Sequence, residues 1–366
     1  MTVTHRTQFQ TSTQRDSWIE INLSALERNY KKLQDLIQTP IMAVVKADAY
    51  GHGAAMLGPV LQSLGVDSFG VATVDEGLLL RNSGIKTPIV ILGATPFWTY
   101  EICSTNNLTI TIYSEEQIIE LESLGEKNNS QILVQLKIDT GMNRLGINYK
   151  DTNKVLNNIL KSKHLKLSGI FTHLADAKNY EFSKLQKERF DKSLENFKDL
   201  KVQKHISNSY AAINYPEFRY DLVRLGIALC GQEFSFLEPL ISLKGRITRI
   251  HKIEKDESVS YDRTWASTKD SLIATIPIGY ADGVDRKLSN KIHASYNNQT
   301  INQVGTITMD QMMLNITDIE NPKVNDVITL LNKDLTIDSW AKILNTLTYE
   351  LVCRLKLRLL RVYTRN

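Results

Sequence analysis

The sequence predicts an α/β fold, in which an N-terminal (β/α)8 TIM-like barrel is followed by a mostly β C-terminal domain. Between about residues 18 and 240, short β-branched runs alternate with longer amphipathic stretches, and there are eight such runs. An alternation of that length favours a closed parallel barrel over an open doubly wound sheet, which usually has fewer strands. After residue 240 the helical periodicity gives way to short alternating runs separated by turns, which predicts a second domain built mainly from strands.

The barrel strands are predicted from their apolar, β-branched composition. In chain order they are IMAVV (41–45), FGVAT (69–73), PIVILG (88–93), LTITIY (108–113), ILVQLKID (132–139), LSGIFTH (167–173), HISNS (205–209) and LVRLGIALCG (222–231). Predicted capping boxes, in which two side chains satisfy the first free amides of a helix, pair Ser24 with Glu27, Thr73 with Glu76 and Ser114 with Gln117.

The C-terminal domain is predicted from four β-rich segments and one helical segment. The β-rich segments are LISLKGRITRIHKI (240–253), DSLIATIPIGY (270–280), TINQVGTITMD (300–310) and VNDVITLL (324–331), and the helix lies in TIDSWAKILNTL (336–347). In LVCRLKLRLLRVY (351–363) leucines alternate with charged residues, which predicts a strand whose charges face solvent. We therefore predict a disordered or extended tail at 1–16, the barrel at 17–240 and the second domain at 241–366.

Composition excludes several classes of function. The net charge of +4 is small for 366 residues and the basic residues are spread along the chain, which argues against a nucleic-acid partner. The N-terminus has no apolar leader, and no segment is long enough to span a bilayer, so we expect a cytoplasmic protein with no membrane partner. Three cysteines lie far apart without CxxC spacing, so neither a disulfide framework nor a metal site is expected.

Lys46 is the first candidate for chemistry, because it ends the first predicted barrel strand. Active sites of such barrels lie where the strands end. A lysine whose pKa is lowered by burial can form a covalent bond to a carbonyl cofactor. The alternative is a lysine that extends from a strand end to solvent, and this residue alone favours that alternative.

The segment around Lys46, MAVVKADAYGHG (42–53), resembles the cofactor-lysine motif of the alanine racemases, which use pyridoxal 5′-phosphate and combine a barrel with a C-terminal β domain. Further blocks resemble the same family in the same order. They are LKIDTGMNRLG (136–146), GIFTHLADA (169–177), HISNSYAA (205–212), VRLGIALCG (223–231), VSYDRTW (259–265), IPIGYADG (276–283) and GTITMDQ (305–311). The resemblance extends from about residue 18 to the C-terminus.

The resemblance implies an isomerase that interconverts L-alanine and D-alanine by a two-base mechanism on a pyridoxal-phosphate aldimine, supplying D-alanine for peptidoglycan. Lys46 would bind the cofactor and move the α-proton on one face, and Tyr261 would serve the opposite face. In the family this tyrosine comes from the partner subunit, which implies a homodimer with shared active sites. Without the resemblance, Tyr261 would be interpreted as an ordinary packed tyrosine.

The resemblance also implies cofactor contacts. Arg224 would face the pyridine nitrogen, supported by His205, and His173 would lie near the ring. The phosphate contacts would come from the Tyr50 and Ser209 hydroxyls, Asn208, and the amides of Gly226 and Ile227. Alternatives from the residues alone are a salt bridge at a strand end for Arg224 and helix caps for Asn208 and Ser209.

On the substrate side, the resemblance implies that Arg144 and the amide of Met309 bind the carboxylate. Asp310 would lie in the same loop and Tyr280 beside the site. Lys137 corresponds to a lysine that is carbamylated in many members, with an ordinary pairing to Asp139 as the alternative.

The chain departs from the family pattern in the GTITMDQ block and near the C-terminus. Thr306 and Thr308 replace an arginine and a cysteine, Leu357 replaces a tyrosine of some members, and Leu360 replaces a proline. The expected effects are an outer entrance with less positive charge and an inner pocket with one fewer hydroxyl.

Three other functions remain open from the sequence. A racemase for serine or for many amino acids is the nearest. A pyridoxal-phosphate decarboxylase would usually place a carboxylate against the pyridine nitrogen, which Arg224 opposes. A pyridoxal-phosphate homeostasis protein would end before a second domain, which residues 241–366 oppose.

Overall fold

The computed structural model describes residues 14–365, so the predicted tail at residues 1–16 falls mostly outside the described residues. The described chain divides into two compact units. The barrel unit comprises residues 27–49 and 53–229, and the β unit comprises residues 14–26, 50–52 and 230–365.

The strands and helices follow one another in a regular order. The strands are β1 (Ser17–Asn22), β2 (Ile41–Val44), β3 (Ser68–Val71), β4 (Ile89–Ile91), β5 (Leu108–Ile112), β6 (Ile132–Asp139), β7 (Ile147–Asn148), β8 (Leu165–Phe171), β9 (Gln203–His205), β10 (Val223–Leu225), β11 (Ile241–Arg246), β12 (Arg249–Ile253), β13 (Ser271–Ile276), β14 (His293–Tyr296), β15 (Gln299–Val304), β16 (Met312–Asn315), β17 (Val327–Leu331) and β18 (Leu360–Thr364). The helices are α1 (Leu23–Ile37), α2 (Lys46–Gly51), α3 (Ala54–Ser63), α4 (Val74–Asn82), α5 (Tyr100–Thr105), α6 (Glu115–Lys127), α7 (Thr152–Lys161), α8 (Tyr180–Ser193), α9 (Ser209–Asn214), α10 (Ile337–Leu344) and α11 (Thr348–Arg354).

Eight parallel strands form a nearly closed barrel in the order β10-β2-β3-β4-β5-β6-β8-β9, which confirms the predicted fold class. Strands β2 to β5 are buried along their whole length, as expected when both faces of a parallel sheet are covered. Six of the eight strands are shorter than the predicted segments, and the largest differences are at β9 and β10. Residues 206–209 lead into α9, whose first turn is capped by the side chain of Asn208, and β10 ends at Leu225.

The gap in the barrel lies between β9 and β10, which share no strand ladder within residues 14–365. Two backbone hydrogen bonds cross it instead. The Asp221 amide donates to the Lys204 carbonyl at 3.1 Å, and the Arg224 amide donates to the Ser207 carbonyl at 3.1 Å. We call the gap between β9 and β10, together with the two hydrogen bonds that cross it, the barrel seam.

Two of the three predicted capping boxes are confirmed. Thr73 caps α4 with Glu76, and Ser114 caps α6 with Gln117. The prediction at Ser24 is wrong, because α1 begins at Leu23. The Asn22 side chain accepts the Ala25 amide hydrogen at 3.0 Å, and this earlier Asn takes the capping position.

The β unit contains a nine-stranded sheet in the order β12-β13-β16-β15-β14-β17-β11-β1-β18. Strand β1 lies antiparallel to β11 and parallel to β18, so the first described strand is paired with the last. Helix α10 forms within the predicted helical segment 336–347. The mostly β character predicted for the C-terminal domain is therefore confirmed.

The prediction of one strand over residues 351–363 is wrong. Helix α11 occupies its beginning, and β18 starts only at Leu360. The charges are not all solvated, since Arg358 binds the buried carboxylate of Asp282. Arg361 donates to the carbonyls of Leu355 and Gly51. The side chains of Arg358 and Arg361 therefore stabilise loops, a role that the alternation of leucines and charges in the sequence does not reveal.

No helix within residues 14–365 is long and apolar enough to cross a membrane. Over the same range, no cluster of three or more His, Cys, Asp or Glu residues is arranged to hold a metal ion. The three cysteines are free thiols, and Cys103 and Cys230 are buried.

Candidate active site

The barrel mouth collects polar residues from the carboxyl ends of the strands. Lys46 is the second residue after β2, His173 is the second residue after β8, and His205 ends β9. Lys137 lies near the end of β6 and Arg224 lies in β10. Because the strands are parallel, these ends meet at one side of the barrel.

Lys46 opens an unusual turn of helix. Residues Ala47, Asp48, Ala49 and Tyr50 have φ angles of 51°, 54°, 51° and 55°, which makes α2 a left-handed turn. Each non-glycine residue in this conformation costs about 1–2 kcal/mol. Backbone strain of this kind is concentrated at functional sites, where the surrounding structure holds it.

The turn is held by side chains of the barrel unit. The Glu76 carboxylate accepts the amide hydrogens of Ala47 and Ala72, each at 2.7 Å. The Asp48 carboxylate accepts the amide hydrogen of Ala54 at 2.8 Å. Glu76 was predicted only as part of a capping box, so its contact with the residue after Lys46 is a site feature that the sequence did not reveal.

Arg224 is buried and its guanidinium donates to five acceptors. Nη1 donates to Nδ1 of His205 at 2.6 Å and to the His205 carbonyl at 3.2 Å. Nη2 donates to the carbonyls of Thr172 and Ile206 and to Nδ1 of His173, at 2.8, 2.9 and 3.2 Å. Its Nε has no acceptor within residues 14–365. All five acceptors are neutral, so this arginine is not the partner of a salt bridge.

The two histidines around Arg224 are uncharged. Burial, followed by the positive charge of Arg224, places the pKa of His205 well below its ordinary range. The same two causes, in the same order, place the pKa of His173 well below its ordinary range. Burial lowers the pKa of Arg224 to about 9, so the guanidinium keeps its charge at neutral pH.

Lys137 is buried rather than paired at the surface. Its Nζ lies 5.6 Å from the centre of the Phe171 ring. Burial first, then the charges of Arg144 and Arg224, lower the pKa of Lys137 to about 8. Asp139 has a different task, since its Oδ1 accepts three amide hydrogens of the following loop. The mouth is thus rich in cations, which suits an anionic ligand.

Ser209 and Gly226 meet at the other side of the mouth. The Gly226 amide donates to the Ser209 hydroxyl at 3.1 Å, which leaves the hydroxyl hydrogen available as a donor. The Asn208 side chain accepts the Ala211 amide hydrogen at 3.1 Å, so it serves as the helix cap considered above. The Ile227 side chain is buried.

Four predicted site residues lie exposed in the β unit. Tyr261 is 68% exposed and Met309 is 54% exposed. Tyr280 is also exposed, and its amide donates to the Thr308 carbonyl at 3.0 Å. Asp310 accepts a hydrogen bond from Arg358 at 2.7 Å. Tyr50, also in this unit, is buried, with its ring edge-on to that of Tyr349 at 5.9 Å.

Thr306 supports the Tyr261 turn. Its hydroxyl donates to the Tyr261 carbonyl at 2.8 Å, and its carbonyl accepts from the Ser260 hydroxyl at 2.6 Å. Thr306 is buried, and its hydroxyl supplies one side-chain hydrogen bond to the turn. Leu357 is exposed.

Asp282 anchors the loops of the β unit that carry Tyr280 and Asp310. It is fully buried and accepts from Nε of Arg358 at 2.7 Å, from Arg15 and from the Gly279 amide at 2.9 Å. Burial alone would raise the pKa of Asp282, but the hydrogen bonds from Arg358 and Arg15 outweigh it and lower this pKa.

Replacing Asp282 by asparagine should lower the free energy of unfolding by about 3 kcal/mol at neutral pH, because two arginines lose their buried counter-charge. The unfolded aspartate titrates near about pH 3.9, and the folded one at lower pH. The contribution is therefore fully present above about pH 5 and is lost as the pH falls through the folded pKa.

Urea unfolding at several pH values measures this effect. The free energies of unfolding of the wild type and of Asp282→Asn should differ from about pH 5 to 7 and converge in more acidic solution. Asp318→Asn, which removes an exposed ion pair with Lys269, is the control and should change stability little. Equal losses in the two variants would contradict the proposed role of Asp282.

Comparison with known proteins gives matches over nearly the whole chain. Residues 21–233 match the family model "Alanine racemase, N-terminal domain", and residues 240–363 match "Alanine racemase, C-terminal domain". An alanine racemase of Nostoc sp. is 37% identical, covering 94% of this chain and 95% of that protein. An alanine racemase of Carboxydothermus hydrogenoformans is 36% identical, covering 95% and 100%. The solved structure of a Clostridium difficile alanine racemase superimposes with a TM-score of 0.90 at 33% identity, covering 96% of both chains.

Proposed function

The chain belongs to the alanine racemase family, and from this premise we propose that it interconverts L-alanine and D-alanine with pyridoxal 5′-phosphate at the barrel mouth. The Arg224 cluster is the observation that carries the proposal. Neutral acceptors fix the guanidinium, while its Nε–H has no acceptor within residues 14–365 and suits a ligand nitrogen. The product would supply D-alanine for peptidoglycan.

When bound, pyridoxal phosphate makes the α-proton of an amino acid acidic by withdrawing electrons into its ring. Arg224 keeps its own proton and therefore leaves the pyridine nitrogen unprotonated, which moderates that withdrawal. This moderation would suit a racemase, which has to return the proton to the same carbon. His173 would lie beside the ring and His205 behind the guanidinium.

The phosphate would be held by neutral groups. The Ser209 hydroxyl already accepts from Gly226, so its hydrogen can point to a phosphate oxygen. The amides of Gly226 and Ile227 and the hydroxyl of Tyr50 complete the proposed set, with Asn208 fixing the start of α9. No charged side chain is required for this contact.

Two bases on opposite faces would exchange the α-proton. Lys46, held at the start of the left-handed turn, serves the D-alanine face. Tyr261 serves the L-alanine face. One group rarely reaches both sides of a planar carbon, so racemisation needs both residues.

The substrate carboxylate would bind Arg144 and the amide of Met309, with Asp310 and Tyr280 shaping the same loop. Lys137 would orient Arg144. With a pKa of about 8, it has a neutral fraction at neutral pH that can add carbon dioxide and release a proton, becoming an anion. The anion would relieve the excess of positive charge at the mouth.

We propose a homodimer in which Tyr261, Met309 and Asp310 complete the site of the partner subunit. The large exposed fractions of Tyr261 and Met309 support it, because exposed residues with a catalytic task need a second surface to define their position. The tyrosine turn is itself well held by Thr306.

A racemisation assay over a panel of L-amino acids tests the function. Alanine should be converted to a racemic mixture with the highest kcat/KM, and no amine product should form. Comparable turnover of serine would show that the enzyme accepts a broader range of substrates than alanine. Release of carbon dioxide without inversion would contradict the racemase assignment altogether.

A further inference from the structure

A third buried residue extends the hydrogen-bonded pair of His205 and Arg224. Oε1 of Gln135 lies 3.0 Å from Nε2 of His205, on the opposite edge of the imidazole from Arg224. The side chains of Gln135, His205 and Arg224 are all buried. They come from β6, β9 and β10 and form one continuous row.

The direction of every proton in this row follows from Arg224. A guanidinium only donates, so Nδ1 of His205, at 2.6 Å from Nη1, must be the acceptor. A neutral imidazole with an accepting Nδ1 carries its hydrogen on Nε2. Nε2 therefore donates, and the Gln135 atom that meets it must be the side-chain oxygen.

The backbone is shaped to place Gln135 there. The pairing of β6 with β8 changes register between Val134 and Gln135, which brings Gln135 opposite Gly169. A bulge of this kind re-aims a side chain. A Cβ atom on Gly169 would lie 2.8 Å from Nε2 of Gln135, so only glycine leaves room for the amide.

One face of the His205 imidazole is covered by an aromatic ring. The Phe171 ring stacks on the imidazole at 4.9 Å with an interplanar angle of 5°. The side chains of Lys137 and Arg224 approach the Phe171 ring, at 5.6 and 5.5 Å from its centre. Burial and the positive charge of Arg224 both disfavour a charged imidazole at His205.

We propose that Gln135 is a positioning residue whose side-chain oxygen fixes His205 as the neutral Nε2–H tautomer and so preserves the acceptor that holds Arg224. Assigning Arg224 to the cofactor ring rests on the proposed function, whereas the tautomer does not. A neutral amide is required at this position. A carboxylate would stabilise the imidazolium, whose Nδ1–H would then face the Arg224 donor.

The test is nitrogen NMR of protein labelled with ¹⁵N-histidine, with the His205 signals assigned by their loss in His205→Gln. In the wild type as purified, His205 should show a protonated Nε2 and an unprotonated Nδ1 from about pH 6 to 9. A protonated Nδ1 anywhere in that range would overturn the proposal, whether or not the protein racemises alanine.

Gln135→Glu separates the tautomer role from simple packing, because the two side chains have nearly the same shape. Both His205 nitrogens should be protonated at neutral pH, and kcat should fall about tenfold or more and recover as the pH rises. Wild-type NMR spectra and a wild-type pH profile in this variant would overturn the proposal.

Two controls keep the outcomes distinct. Gln117→Glu changes another buried glutamine, one that caps α6, and should leave the His205 signals unchanged. If the wild type shows the expected tautomer but no cofactor absorption, the proposed function fails while the role of Gln135 stands.

Discussion

Replacing Lys46 by alanine should reduce racemisation by at least about 10³-fold, because the proposed mechanism gives this one side chain two tasks, anchoring the cofactor and moving a proton. The loss should be similar in both directions, since racemisation in either direction uses both faces. Initial rates from L-alanine and from D-alanine measure it. The cofactor's absorption band should also change, because its covalent bond to the protein is lost.

Borohydride reduction identifies the anchoring residue directly. Treated wild-type protein should carry the reduced cofactor on the peptide containing Lys46, as mass spectrometry can show. Lys150→Ala, which removes an exposed lysine on the loop before α7, is the control and should retain label and activity. A label on any other lysine would sink the cofactor assignment.

Replacing Tyr261 by phenylalanine should slow α-proton exchange unequally for L-alanine and D-alanine. Exchange of the α-proton of L-alanine with deuterated solvent should fall by about 10³-fold, because the base for that face is gone. Exchange from D-alanine should persist, since Lys46 remains. Proton NMR in deuterium oxide measures both rates, and equal losses would be inconsistent with a base that serves one face.

Mixed dimers test the proposal that Tyr261 of one subunit and Lys46 of the other form one site. Lys46→Ala and Tyr261→Phe subunits, each inactive alone, should regain part of the activity together, because one of the two shared sites is then intact. Tyr180→Phe, which removes an exposed hydroxyl bonded to Glu217, is the control for Tyr261→Phe. It should leave the α-proton exchange rates of L-alanine and D-alanine unchanged. A verified mixed dimer without activity would contradict shared sites.

The sequence predicted the barrel because each strand is a compact apolar run with its own start and stop signals. Two of the capping boxes were equally local and were also correct. The strand predicted over residues 351–363 failed because alternation does not show what a charge meets. The buried partner of Arg358, Asp282, lies 76 residues away.

The candidate site also contains features that the sequence predicted and features that it did not. The contacts of Arg224 with His173 and His205 join residues that the motifs had already singled out. The left-handed turn after Lys46 was not predicted, because intrinsic preferences oppose it and Glu76 holds it from another element. Gln135 was also missed, although its spacing of two from Lys137 puts both residues on one face of β6.

If the cofactor binds Arg224 as proposed, the barrel seam couples cofactor binding to folding. His205 and Arg224 belong to the two strands that flank the gap, and their side-chain bond bridges it where strand pairing does not. A ligand held by Arg224 therefore binds the closed barrel in preference to an open one. By mass action it shifts the chain toward closure, and the enzyme's resistance to unfolding should rise with the cofactor concentration of its surroundings.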